Sequence, residues 1–435
     1  MALSPGERSP RSILPAITLI VLVATVLLIA WAAFDIQPFD GDNLWILAWA
    51  DRTNVSHLPA VDPAVYPEWR PLSYATIWLQ YQSASIEHLW RYQLVNVSIW
   101  IACGWTIARI VVELSGSWLA ALAAAVIVLT STQLVSSFAL IVERQSSMAC
   151  LFGLAAWLMS IRLWHQSDST GSWVAVAMLL AASALSKEFG LSFTAAIGTF
   201  SFLEGRRTAL RSAIGAGALY IACRMILAAG GIGPYCEQHG YFFVLRNVCF
   251  DRVDSTVMAQ GGYNVLASGI DILLPGLFFD DGTISVSPRW VVMSAVLLTI
   301  ALIGWARGSR LNRIGLLVVV FNTLLSVLLY RPRNQVIGVC ALGVSAGVGL
   351  PIIWSQFEHT VSSRIMRIAA VSVFITLLAT RGVVMRTLVS DRVDLSTRPD
   401  ACGPDIPDLD RAFMERVWRQ YNQILPECAG DSRGR

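Results

Sequence analysis

The chain has 435 residues, of which 55% are hydrophobic and 14% charged, with a formal net charge of +3 and a mean hydropathy of +0.59. An ordinary soluble domain carries about 25% charged residues, so this composition argues against one. A charge this small also excludes a strongly basic nucleic-acid binder.

The apolar residues come in blocks of membrane length. Residues 13–34 form the first, close to the ~20 residues that a bilayer core requires. Further blocks are expected near Leu89–Val112, Trp118–Val135, Met148–Trp164, Trp173–Leu185, Phe189–Leu203, Ser212–Ala229, Trp290–Ala306, Ile314–Leu329, Val336–Trp354 and Ile368–Met385. The pattern predicts an all-α polytopic membrane protein with about 11 transmembrane helices. A cleaved signal peptide ending near Ala30-Trp31-Ala32 is the alternative for the first block, although its apolar region exceeds the usual ~7–15 residues.

Basic residues near span ends set the orientation, because cytoplasmic loops retain Lys and Arg. Arg8, Arg11, Arg206, Arg207, Arg211, Arg307, Arg310, Arg313, Arg364 and Arg367 all fall on one side of an eleven-span chain. The expectation is a cytoplasmic N-terminus at 1–12, a transmembrane domain at 13–385 and an extracytoplasmic tail at 386–435. Large outer loops then lie at 35–87 and 230–289. The second contains a short apolar run, Ile270–Phe279, read as re-entrant or surface-lying. In the tail, Leu409, Phe413, Val417, Tyr421 and Leu425 recur every four residues, the mark of an amphipathic helix that caps the domain.

Cys103, Cys150, Cys223 and Cys340 fall in predicted spans and read as small buried residues. Cys236 and Cys249 share an outer loop, and Cys402 and Cys428 share the tail, so each pair is a candidate disulfide on an oxidising face. No metal-type spacing of Cys and His occurs. No cofactor is predicted, and the need for a divalent metal stays open.

Of the 32 Lys and Arg residues, Lys187 is the only lysine; it sits beside Glu188 in "SALSKEFGLS", at the predicted outer corner between two spans. Ionisable groups at membrane depth are costly and mark functional paths. Arg70, Glu143, Arg144, Arg331 and Arg333 fall at outer span ends in the same way. Lys187 has a plain alternative reading, a side chain snorkelling from a helix end and paired with Glu188. In the first outer loop, Asp40 and Asp42 precede a short apolar run with two tryptophans, Leu44–Trp49; Asp42 suits both an N-cap and a catalytic acid.

Two stretches carry a resemblance. Arg70-Pro71-Leu72 followed by Tyr92-Gln93-Leu94-Val95-Asn96, and "LSKEFG" at 185–190, resemble membrane-embedded glycosyltransferases of the GT-C type, especially the transmembrane O-mannosyltransferase-like family that often carries tetratricopeptide repeats. "LLYRPRNQVIG" at 328–338 is a weaker match. The chain departs from that family at Ser131-Thr132 and Ser136, at Glu143-Arg144-Gln145-Ser146 and at Trp100, and contains no tetratricopeptide array.

The resemblance implies a GT-C-like fold and inverting transfer of a sugar, mannose-like, from a polyprenyl-phosphate donor to an acceptor hydroxyl on the extracytoplasmic face. The catalytic base then belongs in the first outer loop, at Asp42 or Asp40, with Glu143 assisting. Lys187, Arg70, Arg144, Arg331 and Arg333 become ligands of the donor phosphate, and Glu188 supports them. The expected partners are membrane lipid, the lipid-linked donor and a protein, lipid or glycan acceptor, in a multi-pass protein of the bacterial inner membrane. A transporter or flippase of lipid-linked sugars, and an inactive lipid-binding subunit, are the alternatives.

Overall fold

The computed structural model describes residues 13–31, 34, 41–53, 70–134, 137–138, 140–164, 170–229, 255–273, 278–280, 283–285, 288–326 and 335–360, with isolated residues 372, 383, 386 and 416. These residues form thirteen α-helices: α1 Leu14–Ala30, α2 Gly41–Arg52, α3 Pro71–Ala84, α4 Leu89–Ser115, α5 Trp118–Leu129, α6 Arg144–Trp164, α7 Thr170–Ser186, α8 Leu191–Leu203, α9 Arg207–Ala229, α10 Ser255–Leu273, α11 Pro288–Arg307, α12 Arg313–Leu325 and α13 Val336–Thr360. An antiparallel hairpin, β1 Phe278–Asp280 with β2 Thr283–Ser285, is the one departure from an all-α chain among the described residues.

Ten of the predicted spans are helical. The eleventh, 368–385, lies almost entirely outside the described residues, as do the tail and most of the loop at 230–254. By length and hydropathy, α4, α6 and α13 are each able to cross a bilayer; α1, α5, α7, α8 and α11 are apolar but shorter where described. Large apolar side chains point outward along the helices, including Ile20, Leu119, Met178, Phe202, Met225 and Leu302. In water such a surface would be strongly unfavourable, whereas lipid accepts it at no cost. The molecule is therefore built as an integral membrane protein.

Local sequence sets the element ends. Ser117 caps α5, its side chain accepting from the Ala120 amide, and Gly116 closes α4 in the left-handed conformation with φ 72°. Pro71 opens α3 at a position where the missing amide proton costs nothing. Several predicted boundaries move, two of them near the charged residues. α6 begins at Arg144 instead of Met148, which places the arginine in its first turn, and α5 stops at Leu129, short of Val135. The apolar run at 270–279 gives its first residues to the end of α10 and Phe278 and Phe279 to β1, so the second long loop contains a 19-residue helix that a re-entrant or surface-lying segment did not anticipate.

The helices pack through small residues. A Cβ at Gly304 would come within 2.2 Å of the Ser345 carbonyl and one at Gly349 within 2.1 Å of the Ile300 carbonyl, so α11 and α13 touch backbone to backbone. The core behind them is apolar and spans α1, α4 to α9 and α11 to α13, with Trp100, Trp157 and Trp173 fully buried. Directions follow from the contacts. Asn96 meets Arg144 and Cys103 meets Ser147, so α4 and α6 run parallel. Gly343 packs on Val128 and Gly347 on Ala124, so α13 runs against α5 and with α6.

Between α7 and α8 the chain turns through a single 3-10 turn, Glu188–Gly190, with Lys187 extended just before it. Gly190 sits so close to α7 that a Cβ would lie 2.4 Å from the Ser183 carbonyl. A Gly190→Ala variant is expected to lose about 1–3 kcal/mol of stability by forcing the corner outward, measured by thermal unfolding in detergent. An unchanged melting temperature would contradict this tight closure.

Candidate functional site

Three separate parts of the chain bring their charged residues to one end of the bundle. Arg70 sits at the N-terminal end of α3, Glu143 and Arg144 at the start of α6, and Lys187 and Glu188 in the α7–α8 corner. Four are almost fully enclosed, Arg70 and Lys187 at 3% exposed, Arg144 at 1% and Glu143 at 0%, and Glu188 is partly buried. Isolated charges do not persist in such surroundings. Each of these has a counter-ion or a set of hydrogen bonds.

Arg70 forks onto Glu188, with Nη2 2.7 Å from Oε1 and Nε 3.0 Å from Oε2, and its Nη1 donates to Gln145. This is the bidentate geometry for which a guanidinium is shaped. Lys187 Nζ lies 3.4 Å from Glu143 Oε2 and donates to Ser146 Oγ at 2.7 Å. The simple Lys187–Glu188 pairing expected from their adjacency is thus replaced by two crossed pairs, each joining distant parts of the chain. Neighbours on an extended segment point to opposite sides, which is why adjacent residues serve different partners.

Arg144 is held differently. Its Nε donates to Asn96 Oδ1 at 2.9 Å, and its Nη2 donates to Gln80 Oε1 at 2.6 Å and to the Tyr92 carbonyl at 3.1 Å. The Tyr92 ring lies 5.9 Å below the guanidinium carbon. These partners are neutral, and Nη1 has no hydrogen-bond partner among the described residues. Among the described residues, three cations and two carboxylates therefore meet in this cluster.

Helix α2 docks beside this cluster. Asn43, buried in the first turn of α2, accepts through Oδ1 from the amides of Ile141 (2.9 Å) and Val142 (3.4 Å), just ahead of Glu143. Its neighbour Asp42 is helical, and the Asp42 side chain lies outside the described part; so does all of Asp40. At the other end of α2, Asp51 accepts from Tyr81 at 2.7 Å and pairs with Arg416 of the tail at 2.5 Å. Burial, then Asp51, push the Tyr81 phenol above its ordinary value. Arg331, Arg333, Cys236, Cys249, Cys402 and Cys428 all lie outside the described residues.

The residues that position these charges were missed as participants. Asn43 and Gln80 carried no sequence signal beyond being polar, Gln145 and Ser146 were marked only as departures from the resembled family's pattern, and Asn96 only as the end of the matched Tyr92–Asn96 stretch. Among the described residues no group of three His, Cys, Asp or Glu side chains could hold a metal ion. The opposite end of the bundle carries a different kind of charge: exposed Arg109 and Arg162 on Glu113, and Arg206 donating to the Trp164 carbonyl.

No protein-family model and no curated protein sequence matches the chain. Solved structures do. It is similar to the crystal structure of ArnT from Cupriavidus metallidurans bound to undecaprenyl phosphate, with a TM-score of 0.55 and 13% identity over 89% of this chain and 79% of that one. It is also similar to the Archaeoglobus fulgidus oligosaccharyltransferase tethered with an acceptor peptide containing the NVT sequon, with a TM-score of 0.53 and 12% identity over 96% of this chain; it spans 60% of that protein's length. At such identities the likeness establishes the fold, which is that of the GT-C type.

The crossed pairs make a stability prediction. Lys187→Met leaves Glu143 buried without its counter-ion and should cost about 3–5 kcal/mol. Adding Glu143→Gln should restore most of the loss, as read from thermal unfolding of both purified variants. A double variant no more stable than the single would show that the pair is not what holds this corner.

Proposed function

We propose that the chain is a membrane glycosyltransferase that moves a sugar from a polyprenyl-phosphate donor to an acceptor hydroxyl on the extracytoplasmic face, with inversion at the anomeric carbon. The observation that carries this reading is the meeting of Arg70, Arg144 and Lys187 in one buried cluster, beside the helix that bears Asp42. A sugar linked through a phosphodiester to a lipid carries one negative charge, which such a group of cations suits. The GT-C fold supports the reading, since the similar ArnT structure holds undecaprenyl phosphate. The arginine-rich opposite end supports a cytoplasmic placement of that face and an outward-facing site. The motif resemblance favours a mannose-like sugar.

In this scheme the acceptor oxygen attacks the anomeric carbon while the bond from that carbon to the phosphate oxygen breaks. The acceptor proton passes to the carboxylate of Asp42 or Asp40, acting as general base. The bonding electrons leave with the phosphate, whose growing charge is met by Lys187 and by the open Nη1 of Arg144. Glu143 and Glu188 keep Lys187 and Arg70 charged and fixed, so that little reorganisation accompanies the charge transfer. Arg331 and Arg333, from the late loop, would add to the phosphate's surroundings.

Replacing Asp40 and Asp42 together by Asn should lower transfer of labelled sugar from a polyprenyl-phosphate donor by at least about 100-fold, in line with loss of a general base, with an unchanged melting temperature. Transfer at the wild-type rate in this double variant would remove the proposed base.

A further inference from the structure

A second buried polar cluster lies outside the charged one. Gln133, in the 3-10 turn after α5, donates through Nε2 to Asp271 Oδ1 at 3.0 Å and to the Asp271 carbonyl at 3.2 Å, and accepts from Ser131 Oγ at 2.6 Å. Next to it on α10, Ser268 donates to Gln335 Oε1 at 2.6 Å, and Asn322 Nδ2 donates to the same oxygen at 2.8 Å. Asp271 is 2% exposed and Asn322 0%, yet Asp271 Oδ2 and Asn322 Oδ1 have no hydrogen-bond partner among the described residues. Each such orphan costs about 1–3 kcal/mol.

The two clusters lie at the same depth. α6 and α13 run parallel and meet where Cys150 Sγ and Cys340 Sγ are 3.9 Å apart. Ser146, which holds Lys187, is four residues before Cys150, and Gln335 is five residues before Cys340. At ~1.5 Å per residue both stand roughly 6–8 Å beyond the thiols, towards the same end. Packed helices are about 8–10 Å apart, so the second cluster is the lateral neighbour of the charged one.

Resting on the sugar-transfer reading above, we propose that Gln133, Asp271, Asn322 and Gln335 form the subsite that recognises the hydroxyls of the donor sugar. Amides, hydroxyls and a carboxyl both donate and accept, as sugar hydroxyls do. Among the described residues the cluster contains polar and carboxyl groups and no cation, a composition that suits sugar hydroxyls better than phosphate. Burial pushes the Asp271 carboxyl up to about 7, against the opposing effect of the Gln133 hydrogen bond, so near neutral pH a large share of it holds a proton that it can donate. The orphan oxygens are then places where the substrate completes the network.

The test compares binding of undecaprenyl phosphate with that of the same lipid carrying glucose, mannose, galactose or N-acetylglucosamine, using the purified full chain in detergent. The wild type should bind at least one sugar-bearing lipid about tenfold more tightly than the bare phosphate. Asp271→Leu and Gln133→Ala should remove that preference while changing affinity for the bare lipid phosphate by less than about twofold. Asn322→Ala serves as an independent variant if either fails to fold. A wild type that binds the bare phosphate but shows no sugar preference, or variants that keep the preference, would overturn the subsite alone. Failure of the wild type to bind any of these lipids would overturn both the subsite and the glycosyltransferase reading.

Discussion

The arrangement depends on the burial of three cations at one end of an apolar bundle. A charge moved into such surroundings is held only if partners replace the water it loses. Lys187 finds Glu143 and Ser146, Arg70 finds Glu188 and Gln145, and Arg144 finds Asn96, Gln80 and the Tyr92 carbonyl. These bonds join α3, α4, α6 and the α7–α8 corner, so the cost of burial is offset by contacts that also fix where the elements stand. Among the described residues these contacts give Arg144 only neutral partners and leave its Nη1 without a hydrogen bond, which suits a site for an anionic headgroup.

The packing behind the site serves that constraint. Small residues let α11 and α13 meet through their backbones, and Gly190 lets the Lys187 corner close onto α7. A helix pair that cannot slide keeps Gln335 level with Ser146, and hence the uncharged cluster level with the charged one. Asn43 does the equivalent for the first outer loop by pinning α2 to the segment that leads into Glu143. Rigid support of this kind matters because a displacement of about 1 Å at reacting groups costs a large factor in rate.

Much of this was legible in the sequence, for identifiable reasons. Apolar blocks of membrane length announce helices strongly, and ten of them are helices. The lone lysine and the arginines at span ends stood out because charge at that depth needs a reason. Partner identity was not legible. Lys187 and Glu188 are neighbours in sequence, yet the extended backbone at Lys187 sends them to carboxylate and guanidinium groups 44 and 118 residues away. Arg144 lies inside α6 because its charge is satisfied by side chains of α3 and α4, a tertiary effect that no local pattern encodes. The α10 helix was missed because Gly261, Gly262 and Gly269 interrupt its apolar pattern, and its buried side includes Ser268 and Asp271, whose partners Gln335 and Gln133 come from other parts of the chain.

The most direct test of the central claim is a structure of the purified protein with undecaprenyl phosphate bound. The account predicts the phosphate within hydrogen-bond reach of Lys187 Nζ and Arg144 Nη1, with the Arg70–Glu188 fork intact and the lipid chain leaving towards the bilayer. A phosphate bound elsewhere, with Lys187 still enclosed by Glu143 and Ser146 and Arg144 untouched, would contradict it.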